Sequence, residues 1–312
     1  MKANLASAVC TIVSLVLVAM ALRYAVDFWL LSFIYTLQTH AGVAAIAGAL
    51  LAILLGTRRY GSILLTIAIA LTAHSIWMKR EFLPPQREIA ADAPVVRLIS
   101  FNILGSNHRN VSQIAEAILA SDADIVYVLE AAPITPELAT LAEKYPYRIG
   151  CGEVTSGCDL MMMSRLPMKT REVHRLSEIR GERFAIAGIE IGGRLVHFAA
   201  AHLTKPYFDD YHDSELRVVG GHIARNPGTW VLAGDFNSGT IAPDMQKLLR
   251  NAGMTTAGIE PATWPIRAGR LGVALDHVFV TSDVVPKSLR RMEDNYGSNH
   301  FGLIADLAFP AD

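Results

Sequence analysis

The sequence predicts a strand-rich α/β domain carried behind a membrane-spanning helical region, and three observations predict it. Charge is unevenly placed: residues 1–78 of the 312 hold only five charged side chains, Lys2, Arg23, Asp27, Arg58 and Arg59, out of 57 in the chain. The same stretch holds long uncharged apolar runs, and beyond it short β-branched runs alternate with segments of helical spacing. Overall, 52% of residues are hydrophobic, 18% are charged, the mean hydropathy is +0.31 and the net charge is −1. Soluble proteins average about 25% charged residues. These figures exclude a disordered chain, a basic nucleic-acid-binding tail and a disulfide-dense mini-protein.

The membrane region comes first. Residues 6–22, 42–56 and 61–77 are apolar and uncharged, near the lower end of the roughly 17–25 residues that cross a bilayer. A cleaved signal peptide accounts for the first run but not for the other two, and the lack of a polar face argues against soluble helices. The spacing predicts three spans, with two or four as the alternatives, and the short apolar and aromatic run 28–37 is an interfacial helix, a re-entrant piece or a continuation of the first span. Lys2 and the Arg58–Arg59 turn set the cytoplasmic side, which puts everything past residue 77 outside; Lys79 and Arg80 count against that orientation. Residues 1–78 are therefore the membrane region. Residues 79–94, charged and containing Pro84–Pro85, are a stiff linker, and 95–312 form a domain large enough for one core.

Within that domain the pattern predicts strands over 95–103, 124–130, 159–163, 184–191, 194–202, 230–234, 274–280 and 303–308. Asn110 offers a helix N-cap with Gln113 as its capping-box partner. Val111, Ile114, Ala115, Ile118 and Leu119 follow at helical spacing. Further helices are expected over 210–224, 242–252 and 286–292.

Polar residues gather where these strands end, the usual place for ligands in open α/β sheets. Asn102 lies in ISFNI, Glu130 closes DIVYVLE and His202 closes VHFAAAHL. Asp235 and Asn237 follow WVLAG, Asp276 interrupts VALDHVFV and His300 lies in GSNHFGL. Taken singly, each reads as a turn residue or a hydrogen-bonded structural histidine. Seven in order, each beside an apolar strand, point to one constellation.

The ordered set SFN, LE, AHL, GDFN, TWP, LDHV and SNH resembles the endonuclease/exonuclease/phosphatase superfamily over about residues 95–307, with GDFN its most specific element. That group includes pancreatic-type DNases, abasic-site endonucleases, neutral sphingomyelinases and inositol polyphosphate phosphatases. The resemblance implies a four-layered α/β sandwich, two mixed sheets flanked by helices, and hydrolysis of a phosphate ester by metal-assisted attack of water. It implies Mg²⁺, with Mn²⁺ as a substitute, held by Glu130 with Asn102 and Asn299 nearby; oxygen donors of this kind suit Mg²⁺. Asp235 would orient or deprotonate the water, and Asn237 would donate to a phosphate oxygen. His202 would contact the phosphate and assist the leaving group, and Asp276 would hold His300 protonated in one orientation. The family pattern at the last motif is Ser-Asp-His, whereas this chain reads Ser298-Asn299-His300. The lost carboxylate implies a shifted metal preference or a slower rate. Trp264 and Lys205 are candidate substrate contacts, with Arg267 and Arg270 as further candidate cations; an exposed charge is more often only solvated.

Three functions fit: a membrane-anchored phosphoesterase acting on lipid or other envelope phosphates, an anchored nuclease of the same chemistry, or a weakly catalytic binding module. The residues past 78 are net acidic and show no basic stripe, which disfavours nucleic acid. Of three cysteines, Cys10 lies in the first apolar run. Cys151 and Cys158 bracket a glycine-flanked turn that permits a disulfide, a bridge that would contribute about 2–3 kcal/mol and belongs outside the cytosol. Two reduced cysteines are the alternative.

Overall fold

A computed structural model describes residues 1–26, 28–90 and 92–310; Asp27, one of the five charges of the N-terminal region, lies outside them. The chain divides into two compact units. One comprises Met1–Phe82 with Pro206–Asp210 and Ser238–Lys247; the other comprises Leu83–Lys205, Tyr211–Asn237 and the residues from Leu248 onward.

The first unit is built on α1 (Lys2–Leu22), the short α2 (Ser32–Thr36), α3 (Gln38–Leu54) and α4 (Arg58–Glu81). Ala6, Cys10, Val13, Leu17 and Met20 recur on one side of α1 and are buried, whereas Leu5, Ile12, Leu15 and Val18 on the other sides are exposed. An apolar surface all round suits helices that face lipid. On α3 the inward residues are Gly42, Ala45, Ala49 and Ala52. A Cβ on Gly42 would stand 2.1 Å from Thr72 Oγ1 of α4, so this crossing requires glycine. Among the described residues α1 and α4 are long and apolar enough to cross a membrane. A third candidate is the pair Trp29–Thr36 and Gln38–Leu54, bent by 70° at Leu37. The middle expected span, 42–56, therefore falls largely on a 17-residue helix joined to a sharply turned apolar piece. Helix α4 also runs on through Lys79–Glu81, residues expected in the linker. The Arg23 guanidinium, a charge among apolar helices that needs partners, donates to Gln38 Oε1 (2.5 Å), the Ile241 carbonyl (2.6 Å) and Gln246 Oε1 (3.2 Å).

The second unit holds two six-stranded mixed sheets. Its strands are β1 (Val95–Asn102), β2 (Ile125–Leu129), β3 (Tyr147–Ile149), β4 (Leu160–Ser164), β5 (Met168–His174), β6 (Phe184–Ile191), β7 (Arg194–His202), β8 (Thr229–Asp235), β9 (Met254–Thr256), β10 (Asp276–Thr281), β11 (Val285–Arg291) and β12 (Leu303–Ala308). Its helices are α5 (Val111–Ala120), α6 (Leu138–Lys144) and α7 (Tyr211–Arg225), and α8 (Pro243–Ala252) begins in the first unit and ends in this one. The sheets run β11-β12-β1-β2-β4-β3 and β5-β6-β7-β8-β10-β9. Alternate residues of both, among them Leu98, Tyr127, Phe198, Val231 and Val278, meet in the core between the sheets. The opposite faces of β1, β2 and β4 pack with Ile114, Ile118 and Leu141 of α5 and α6.

Two local expectations are corrected. Residues 286–292 are not helical: β11 pairs with β12 as an edge strand, with a bulge after Pro286. Proline and exposed Lys/Arg suit such an edge, where one side of the strand has no partner. Asn110 precedes α5 but makes no side-chain cap; its Nδ2 donates instead to Asn107 Oδ1 (2.6 Å).

Candidate active site

In each sheet one parallel pair lies near the centre, and both pairs end in polar residues. Asn102 of β1 stands level with Leu129 of β2, directly before Glu130. His202 of β7 stands level with Asp235 of β8. The antiparallel β10 begins with Asp276 opposite Asp235. The backbone is forced where these strands end. Gly234 adopts φ +146°, and a Cβ there would lie 1.9 Å from the Ala201 carbonyl oxygen, so GDFN requires its glycine for the close approach of β7 and β8. Leu104, Glu130 and Asn237 take positive φ without being glycine, a strain that surrounding structure must sustain and that concentrates at functional sites. Here hydrogen bonds sustain it: Leu104 N to Asn102 Oδ1 (3.0 Å), Gly105 N to Glu130 Oε2 (2.6 Å) and Asn237 N to Asp235 Oδ1 (2.8 Å).

One end of the site is acidic. Asn102 Nδ2 donates to Asp235 Oδ2 (3.0 Å) and Glu130 Oε1 (3.2 Å). His300 places Nδ1 2.8 Å from Asp276 Oδ2 and Nε2 3.8 Å from Asp235 Oδ2. Burial disfavours the imidazolium, but the carboxylates of Asp276, Asp235 and Glu130 outweigh it and raise the His300 pKa to about 9. The loop is fixed by Ser298, whose hydroxyl donates to the Asn102 carbonyl (2.6 Å) and accepts from His300 N (3.1 Å). Asn107 bridges the Ile103 and Tyr296 carbonyls from the other side. Thr263 Oγ1 accepts from the amides of Leu275 and Asp276 (3.1 and 3.2 Å), which sets the start of β10.

The other end carries cations. His202 Nδ1 lies 2.8 Å from Asp159 Oδ2, while Arg183 reaches Asp159 Oδ1 at 3.0 Å. Burial works against the Asp159 carboxylate, yet the hydrogen bond and charge of His202, with Arg183 and Arg180, hold its pKa below the ordinary range. Asn237 Nδ2 donates to the Leu203 carbonyl (2.9 Å), tying the GDFN loop to the residue after His202 and leaving its second N–H for another acceptor.

The structure thus joins Asn102, Glu130, Asp235, Asp276 and His300 through direct contacts, and ties Asn237 to both Asp235 and the strand of His202. Asn299 is exposed and, among the described residues, bonds to none of these; Lys205 is likewise exposed. Trp264 is half-buried and its backbone pairs with Val273. Cys151 and Cys158 are joined in a disulfide. Sequence reasoning missed Asp159 and Arg183, and singled out Trp264 of the TWP element rather than the Thr263 hydroxyl. Asp159 had a readable signal: it opens the apolar run LMMMS, and because β4 is antiparallel to β2 the start of β4 lies beside the end of β2, where Ala131 N donates to the Asp159 carbonyl (3.0 Å).

The ligand atoms of Asp235, Asp276 and His300 all lie within 4.8 Å of one another. His300 serves such a group poorly as a metal ligand, since these carboxylates hold it cationic and its protonated Nε2 then offers no lone pair. Oxygen donors fit a divalent cation better: the Glu130 and Asp235 carboxylates, with the buried Asp276 Oδ1, which has no hydrogen-bond partner, facing the same chemistry. Asn102 spends its Oδ1 on Leu104, so an oxygen ligand there requires its amide to turn over.

Comparison with known proteins places this arrangement. The chain resembles an endonuclease/exonuclease/phosphatase from Bacteroides vulgatus (19% identity, TM-score 0.58, 69% of this chain and 98% of that one). It also resembles TDP2 of D. rerio solved with a single-strand DNA product (19%, 0.57, 68% and 98%). A third likeness is to sphingomyelinase C from Streptomyces griseocarneus (16%, 0.51, 68% and 99%). At these identities the likeness is one of fold. No curated protein matches by sequence. The model of the endonuclease/exonuclease/phosphatase family matches residues 99–300. With more than half of its length so matched, the chain belongs to the endonuclease/exonuclease/phosphatase family.

Proposed function

We propose that this protein is a membrane-anchored, metal-dependent phosphoesterase whose site hydrolyses a phosphate ester by attack of water. The observation that carries the reading is the buried grouping of Asp235, Asp276 and His300 with Glu130 linked to it through Asn102. Glu130 would hold the cation, Mg²⁺ or Mn²⁺, beside the carboxylates of Asp235 and Asp276, and Asn102 would join it once its amide turned its oxygen inward. When bound, the cation supplies charge neutralisation on phosphoryl and leaving-group oxygens.

The chain's own residues divide the remaining work. Asp235 has each carboxylate oxygen fixed by one hydrogen bond, from Asn102 and from Asn237 N, and keeps lone pairs to orient water and accept its proton. His300, charged and held by Asp276, directs Nε2–H toward the phosphate. His202, its Nδ1 engaged by Asp159, presents Nε2 to the leaving oxygen. The free N–H of Asn237 adds a donor to a phosphoryl oxygen. Preset donors of this kind act on charge that grows in the transition state.

Two apolar helices and a bent pair support residence in a membrane, and a lipid or other envelope phosphate is the substrate such an anchor favours over a nucleic acid. The disulfide favours an extracytoplasmic domain. Purified protein assayed against phospholipids, soluble phosphate esters and nucleic acids, with and without Mg²⁺, tests the reading. Undiminished hydrolysis in excess chelator removes the metal from it, and no hydrolysis of any phosphate ester leaves a binding module.

A further inference from the structure

Beyond the residues assigned above, the segment between β5 and β6 carries three arginines, Arg175, Arg180 and Arg183, of which Arg175 is exposed. Its turn is closed by Leu176 N to the Arg180 carbonyl (2.9 Å) and Arg180 N to the Ser177 carbonyl (3.2 Å). It is anchored on both sides. Ser177 Oγ donates to Glu215 Oε1 (2.6 Å), whose Oε2 accepts from the amide (2.7 Å) and hydroxyl (3.0 Å) of Thr204, two residues past His202. Glu182 accepts from Ser156 N (3.0 Å) and Gly157 N (2.7 Å) in the hairpin closed by Cys151–Cys158. His202 N donates to the Arg183 carbonyl (3.0 Å), so the segment shares backbone with the site.

Among the described residues the anchoring leaves the Arg180 guanidinium without an ion pair. The Glu182 and Glu215 carboxylates are turned to these donors, and Glu178, exposed on the same turn, pairs with neither Arg180 nor Arg183. Among the described residues Arg183 has one ion pair, with Asp159, which His202 also uses. Arg180 Nε is buried without an acceptor, and among the described residues its guanidinium forms no ion pair. A buried donor with no partner is unfavourable unless a ligand supplies one. Its charge is felt at both Asp159 and Arg183. A guanidinium held in this way is suited to the oxygens of a phosphate.

We propose that Arg180, backed by Arg183, binds a second phosphate of the substrate, one that is not cleaved, so that the preferred substrate is a compact bisphosphate. The proposal rests on the phosphoesterase reading for its scissile group. Two arginines at one spot, without a track of further cations, fit a compact bisphosphate better than a nucleic-acid strand.

Calorimetry on the full-length protein in detergent reads the subsite apart from turnover. Wild type should bind thymidine 3′,5′-bisphosphate at least about tenfold more tightly than thymidine 5′-phosphate, a difference of about 1.4 kcal/mol. Arg180→Gln should erase that ratio, and Arg180→Lys should restore part of it. In kinetics, Arg180→Gln should lower the preference in kcat/KM for thymidine 3′-phosphate 5′-(p-nitrophenyl phosphate) over its 3′-hydroxyl analogue by the same factor, through KM. Vesicles of phosphatidylinositol 4-phosphate set against phosphatidylinositol distinguish a lipid source of the second phosphate from a soluble one. Equal affinity for the two nucleotides, an unchanged ratio in Arg180→Gln, or an oligothymidylate that outcompetes the bisphosphate overturns the subsite. Tight, Arg180-dependent bisphosphate binding without hydrolysis of either ester supports the subsite and overturns the phosphoesterase reading instead.

Discussion

His300 and His202 make the same contact, Nδ1 at 2.8 Å from a carboxylate, and yet stand in opposite surroundings. The partner of His300, Asp276, is buried and has one oxygen unpartnered, and Asp235 faces the other ring nitrogen. Several carboxylates there share one imidazole, which is held cationic with a pKa of about 9. The partner of His202, Asp159, answers an arginine as well. There one carboxylate serves an imidazole and a guanidinium. A histidine–carboxylate pair therefore does not by itself define a role; the surrounding charge does. The acidic end suits a cation and the attacking water, and the basic end suits the anionic substrate and its leaving oxygen.

That contrast can be broken one side at a time. The largest effect is expected at the acidic end: His300→Ala and Asp235→Ala should each lower kcat by about a hundredfold or more while near-ultraviolet circular dichroism stays native. Asp159→Asn should cost less, about tenfold, because His202 keeps Arg183 beside it and loses only its orienting carboxylate. An Asp159→Asn loss equal to that of His300→Ala would show that the two ends are not distinct. Smaller again is Asn299→Asp, which restores the carboxylate of the family pattern. It should tighten Mg²⁺ activation by a few fold if residue 299 tunes the cation, and identical metal titrations of the two proteins would remove that position from the metal site. Gly234→Ala sharpens the structural side. Its Cβ would meet the Ala201 carbonyl oxygen at 1.9 Å, so the variant should unfold at lower denaturant than wild type, by about 2 kcal/mol or more, and a wild-type midpoint would contradict the close approach of β7 and β8.

How much of this could be read from the chain depends on burial. The eight strands expected from the sequence are the interior ones, β1, β2, β4, β6, β7, β8, β10 and β12. The four that were missed or misread, β3, β5, β9 and β11, are the four sheet edges. An edge strand such as MKTREVH of β5 carries charge along its length and gives neither an apolar run nor a clean alternation. In β11, the sequence VPKSLRR lost its strand signal to Pro286 and to the basic residues that guard an edge. The site followed the same logic. Asn102, Glu130, His202 and Asp235 were found because an apolar run points to the polar residue that closes it, and Asp276 because it interrupts such a run. Asp159, which opens one, was not, since its meaning depends on β4 running antiparallel to β2, and strand direction is not written in a single run. Arg183 and Thr263 act through partners distant in sequence, which no spacing reveals.

The central claim is tested most directly by steady-state hydrolysis of bis(p-nitrophenyl) phosphate by the full-length protein, measured with Mg²⁺, with excess chelator, and for His300→Ala. Turnover that requires the cation and falls by about a hundredfold or more in His300→Ala is the predicted result. A folded His300→Ala protein at the wild-type rate, or a wild-type rate untouched by chelator, would contradict it.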